Sequence, residues 1–177
     1  MPGARLAGLA AVTLCLTVLA GGCASGRPAG PAGQAARQGT AAARAPRDTS
    51  TAAVAAEYLA IAGPANRRLD AEVDSYTDHE HDNLAAAGSD LRAEAATERR
   101  FDQLLVKIVF PPPIAVTARA LARANQARAA LTAGQARSST ITALLSFTSR
   151  HRAADAAVEA QIRIIRRALG LPPPQTS

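Results

Sequence analysis

An all-α chain folded as an up-down four-helix bundle is what the sequence predicts, and three observations predict it. Alanine is abundant while aromatic residues make up 3% of the 177 positions, and alanine has the best helix propensity because it loses no side-chain entropy. Four segments repeat apolar residues at the 3.6-residue period of a helix. Alternating β-branched or aromatic runs, the mark of strands, are missing except around Val106–Phe110.

The first segment, about 50–76, aligns Val54, Tyr58, Ile61, Ala65, Leu69, Val73 and Tyr76 on one stripe. Pro64 lacks an N–H and crowds the carbonyl four residues back, which predicts a kink or a division into two short helices at Gly63-Pro64. The second segment, about 83–109, carries Leu84, Leu91, Ala95, Phe101, Leu105 and Ile108, with Asp82 or Asn83 as N-cap. Pro111-Pro112-Pro113 stops it and starts the third, since proline is tolerated in a first helical turn. The third runs to about Ala133, where Gly134 offers a C-cap. The fourth opens at Ser138 or Ser139, carries Val158, Ile162, Ile165 and Leu169, and ends before Gly170 and Pro172; its weakly apolar middle, Thr148–Ala154, predicts a bend. Short connections between long amphipathic helices make antiparallel neighbours. Alanine-rich faces should bring the axes toward the ~8 Å end of the usual range. The alternative is two helical hairpins that associate loosely or dimerise.

Ahead of this domain, Arg5 is the only charge before an apolar run from Leu6 to Ala20. That run is too short for the ~20-residue helix a ~30 Å hydrocarbon core requires. A positive start, a short apolar stretch and small residues at its end describe a removable signal peptide. The segment Leu19-Ala20-Gly21-Gly22-Cys23 resembles the lipobox of bacterial lipoproteins, with the leucine one place further from the cysteine than is usual. The resemblance covers about the first 25 residues and implies that 1–22 are cleaved and that Cys23 carries a diacylglyceryl group and further acyl chains such as palmitate. One acyl chain anchors only marginally, at ~0.8 kcal/mol per buried methylene, so two or three on one cysteine hold durably. The implied location is the extracytoplasmic face of the cell membrane. Cys15 leaves with the leader, so Cys23 is the one mature thiol and stability must come from packing. Arginine outnumbers the single lysine, Lys107, nineteen to one, which points to a high-GC bacterium.

Residues 24–48 are mostly Ala, Gly, Pro and Arg without a large aliphatic side chain. Such a segment cannot bury enough apolar surface to offset its ordering entropy and is expected to be a disordered tether. About 25 flexible residues have an r.m.s. span of roughly 25–30 Å, and Arg27, Arg37, Arg44 and Arg47 can touch anionic lipid. Residues 49–171 remain for one domain, with 172–177 as a tail.

Charge is divided along the chain. Residues 48–102 sum to −7, whereas 103–177 sum to +8. The plain reading is mutual attraction of an acidic and a basic hairpin, each exposed pair contributing ~0–1 kcal/mol. The functional reading is that Arg119, Arg123 and Arg128, or Arg163, Arg166 and Arg167, face an anionic partner such as lipid headgroups or envelope polymer. Nucleic acid is excluded as a partner for an exported chain without stacking aromatics.

Asp78-His79-Glu80-His81-Asp82, with Asp74 one turn back, is the one cluster with ligand character, since imidazole and carboxylate suit Zn²⁺-like ions. A solvated turn is the ordinary reading of the same residues. A di-metal bundle would need paired Glu-x-x-His motifs, and none occurs. His151 and Asp155 stand four apart and could orient an imidazole or form a plain surface pair. Nucleophile elbows, phosphate loops and dinucleotide fingerprints are absent. The expectation is therefore a membrane-anchored, non-enzymatic helical binding or interaction module with no cofactor, its partner an envelope protein or anionic polymer. The alternative is a weak metal-handling lipoprotein using Asp78, His79, His81 and Asp82.

Overall fold

Four of the five helices start where a side-chain oxygen or a proline deals with the amide groups that a first turn leaves unpaired. In the computed structural model, which describes residues 50–174, Ser50 caps helix α1 (Thr51–His79), its hydroxyl accepting from the Ala53 N–H at 3.2 Å. Asn83 caps α2 (Leu84–Leu105) through Oδ1 and the Ala86 N–H at 3.1 Å. Pro112 and Pro113 open α3 (Pro112–Gln135), occupying positions whose N–H groups would have no helical acceptor. Thr140 caps the short α4 (Ile141–Leu145) from Oγ1 to the Ala143 N–H at 3.1 Å, and α5 (Thr148–Ala168) follows after two residues.

The described residues contain helices and no strand, as the alanine-rich composition requires. Val106–Phe110, the one stretch with strand character, forms the turn into α3. Successive helices pack side by side, α1 on α2, α2 on α3 and α3 on α5, which is the up-down order expected of a bundle rather than of two loose hairpins. None of these helices is long and apolar enough to cross a membrane. The leader, Cys23 and the tether lie outside the described residues.

Several boundaries differ from expectation, and α2 ends at Leu105 rather than near 109. At Pro64 the chain stays within one continuous helix rather than dividing into two. Gly134 is not a C-cap: α3 continues through it to Gln135, whose buried amide donates to the Tyr76 hydroxyl at 3.1 Å and the Leu144 carbonyl at 3.0 Å. The fourth helix opens at Ile141 rather than Ser138 and breaks at Ser146-Phe147, just ahead of the weakly apolar stretch. There Ser146 Oγ donates to the Ala143 carbonyl and Thr148 Oγ1 to the Leu145 carbonyl, and such local hydroxyl bonds compete with the helical ladder.

The α5 terminus is as the sequence implied. Gly170 takes φ 69°, and the Leu171 N–H reaches back to the Arg166 carbonyl at 2.8 Å while the Gly170 N–H meets Arg167 at 3.1 Å. This paired closure satisfies the last carbonyls and needs a residue comfortable at positive φ.

Two apolar clusters share the length of the bundle. The larger joins Val54, Tyr58, Leu105, Ile114, Leu121, Ile165 and Leu169, drawing on the start of α1, the end of α2, the start of α3 and the end of α5. The smaller joins Tyr76, Ala87, Leu91, Ala136 and Leu144 at the opposite end. Small residues are buried between the helices. Ala87, Ala95 and Ala129 are almost wholly buried, and a Cβ on Gly88 would stand 3.1 Å from the Ala136 carbonyl oxygen.

Candidate functional site

Between the two clusters the bundle core becomes polar, and beside it the seam between α1 and α5 opens into a cleft. Ala65, Leu69 and Val73 of α1 form one wall and Val158 and Ile162 of α5 the other, with about 100 Å³ of enclosed space. These are the middle of the α1 stripe and the best of the α5 stripe, yet all five stay partly exposed. The wall residues face each other without closing, because α1 and α5 make no close backbone approach comparable to those between successive helices. Phe101 and Leu121 continue the apolar lining toward the core.

The floor is ionic. Arg128 of α3, with 16% of its side chain exposed, donates from Nε to Asp155 Oδ1 of α5 at 2.5 Å, from NH2 to Glu94 Oε1 of α2 at 3.0 Å, and from NH1 to Glu98 Oε1. One helical turn away, Asn125 donates to Asp102 Oδ1 at 3.1 Å and to the Glu98 carbonyl at 3.2 Å. Glu98, Asn125, Arg128 and Asp155 all line the cleft, with Asp70 and Glu159 also on its wall.

Three carboxylates on one guanidinium leave a surplus of acid in a dry place. Burial pushes Glu98 up to about 8 against the opposing pull of Arg128, and Glu94 is raised for the same reason. Burial likewise lifts Asp102 to about 6, although its bond from Asn125 favours the ionised form. For Arg128 burial disfavours the charge, but Glu98, Glu94 and Asp155 outweigh it and hold the guanidinium above its ordinary value. This raised pKa favours the protonated form of Glu98, which would relieve the surplus. Its Oε2 is buried and has no hydrogen-bond partner among the described residues. A carboxylic acid held neutral and unsatisfied is a donor waiting for an acceptor.

None of this was anticipated in the sequence reading, though one signal was present. Glu98 and Asp102 continue the Leu91, Ala95, Leu105 face of α2 at helical spacing, positions where a purely structural helix would carry apolar side chains. Arg128, expected with Arg119 and Arg123 to face an anionic partner, is instead committed to internal carboxylates. Asp155 serves Arg128 rather than orienting His151, whose buried Nε2 has no partner among the described residues and whose pKa is lowered by burial.

The remaining sites fall elsewhere. His79 sits in the last turn of α1 and pairs through Nδ1 with Asp90 Oδ2 of α2 at 3.0 Å, a bond that raises its pKa. His81 lies 3.4 Å from Glu80, and Asp78 and Asp82 are exposed. Among the described residues no group of three or more His, Cys, Asp or Glu stands together as a metal site would require. Arg119, Arg123, Arg163 and Arg167 are exposed, Arg163 pairing with Glu159 at 2.9 Å. Arg166 departs from that group. It is buried, its Nε donating to the Pro172 carbonyl at 2.6 Å, because the tail folds back over it after Gly170. No family model, curated protein or solved structure matches this chain.

Proposed function

We propose that this protein is a lipid-anchored lipoprotein of the extracytoplasmic membrane face, and that its helical domain is a non-enzymatic binding module whose α1–α5 cleft receives a small ligand. The observation that carries the binding half is the pairing of apolar walls (Leu69, Val73, Val158, Ile162) with an unsatisfied polar floor at Glu98. Pockets for small molecules commonly combine a mostly apolar lining with a few convergent polar groups. The ligand class is a short apolar body with one polar end. The anchoring half is supported by the lipobox-like segment ending at Cys23.

Calorimetric titration with hexylamine, hexanol and hexanoate tests the cleft and reads which polar end it prefers. At least one should bind, and A65F, which fills the α1 wall, should abolish that binding. No binding by any of the three, or equal binding by A65F, overturns the reading. Membrane fractionation tests the anchor: C23A should release the protein and remove fatty-acid labelling, and unchanged retention and labelling would refute it.

A further inference from the structure

The end of the bundle that receives the N-terminal segment is built unlike the rest of the surface. In the larger core cluster, Val54 at the start of α1 meets Leu105, Ile114, Ile165 and Leu169, so Ser50, the α2–α3 connection and the α5 terminus share that end. The large apolar side chains that stand exposed among the described residues are Val106, Val109, Val116 and Ile164, and all four belong to this half. Val106 is 69% exposed and Val116 59%, beyond what packing within the bundle explains. Lys107 lies between Val106 and Val109, and Arg119 and Arg123 border the groove that contains Val106, Ile108 and Phe110. None of these three cations has an ion-pair partner among the described residues, and residues 103–154 contain no acid at all. On this end Glu57 of α1 is the exposed acid nearest the tether. The opposite end carries Asp74, Asp78, Asp82 and the acidic α1–α2 turn together with exposed Arg137, Arg150 and Arg152, so its charges largely offset one another.

We propose that this end docks directly on an anionic bilayer, with Val106, Val109 and Val116 entering the headgroup region and Lys107, Arg119 and Arg123 meeting lipid phosphates. Exposed apolar side chains within a cationic surface are the combination that binds anionic interfaces, the first through burial and the second through the surface potential. The place where the chain leaves the bundle agrees. The segment from Cys23 enters at Ser50, so an anchored chain keeps this end within reach of the lipid, while the far end, with its mixed charges, lacks the cationic and apolar combination. The protein then sits upright with the cleft on its flank, rather than swinging on its tether. This orientation rests on the anchored reading for its reach; the affinity of the end for anionic lipid does not.

The chain contains no tryptophan, so V109W and D82W in the full chain place single reporters at the two ends. Each is mixed with vesicles carrying brominated acyl chains, either half phosphatidylglycerol or wholly phosphatidylcholine. The expected result is at least about threefold stronger quenching of V109W than of D82W on the anionic vesicles. The excess should vanish on the neutral ones, and fall with salt of about 0.5 M, where screening acts over a few Å. R119E/R123E in the V109W background should also remove it, which separates docking from the reporter's own liking for interfaces. Equal quenching of the two reporters, or an excess indifferent to lipid charge and to R119E/R123E, overturns the proposal. Failure of the anchor would appear differently, as the unaltered chain carrying no fatty-acid label at Cys23 while the ratio between reporters is preserved.

Discussion

The two ends of this bundle are held together by different physics. Around Ser50, aliphatic and aromatic side chains from all four long helices meet, and each fully buried one contributes roughly 1.5–3 kcal/mol. At the far end few large side chains are buried, and named polar bonds take over: Gln135 to Tyr76 and Leu144, Ser75 Oγ to Asp90 at 3.0 Å, His79 to Asp90, and Thr97 to Glu72 at 2.9 Å. Hydrogen bonds are directional and individually modest, worth about 1 kcal/mol net. The difference teaches why the cleft lies at the junction. There the apolar packing thins, the helices are spaced by an ion cluster instead, and α1 and α5 part.

The largest expected effect is at that junction. R128L removes the cation shared by Glu94, Glu98 and Asp155 and should cost ~3–5 kcal/mol, because uncompensated buried charge is worse than a lost contact. Denaturant unfolding measures it, and a loss under 1 kcal/mol would show that the cluster is incidental. Next, L121A and L144A compare the ends with one chemistry, since both leucines are fully buried. Leu121 lies in the larger core and should cost ~3–5 kcal/mol, whereas the five-residue α4 can settle into the gap left at Leu144, for about 2 kcal/mol. Equal costs would erase the distinction between the ends.

A pH series sharpens the contrast further. Glu98 ionises near 4.5 when unfolded but near 8 when folded. Between those values the folded state holds a proton that the unfolded state has lost, so stability falls as pH rises through this window and levels off above it. Asp102 adds the same trend between 3.8 and about 6. At those values the two groups together lose about 5 kcal/mol from pH 5 to pH 8.5, mostly through Glu98, so E98Q should flatten most of it. A wild-type profile that rises over that range would contradict the assigned protonation. The smallest effect is at the far end, where N83A removes the α2 cap and should cost ~1 kcal/mol by thermal unfolding.

Much of the fold was legible. Periodicity located the four long helices, Asn83 and Ser50 stand at their starts, and Gly170 ends the last one. What the periodicity could not supply was contact. It showed that Leu69, Val73, Val158 and Ile162 lie on apolar stripes, but a stripe does not reveal whether it meets its counterpart or borders a gap. The ion cluster was hidden for a related reason. An arginine in α3 reads as surface until Glu94, Glu98 and Asp155, 27 to 34 residues away along the chain, are known to converge on it. Gly134 misled because glycine at a helix end is only one use of glycine; here α3 runs two residues further, to Gln135, whose side chain bonds to Tyr76 and Leu144.

The reach of a single side chain therefore sets the aperture of this protein. Arg128 spans from α3 to α2 on one side and to α5 on the other, so it gauges how far the last helix stands from the core, as a strut would. A shorter cation at that position could satisfy one shore and not both.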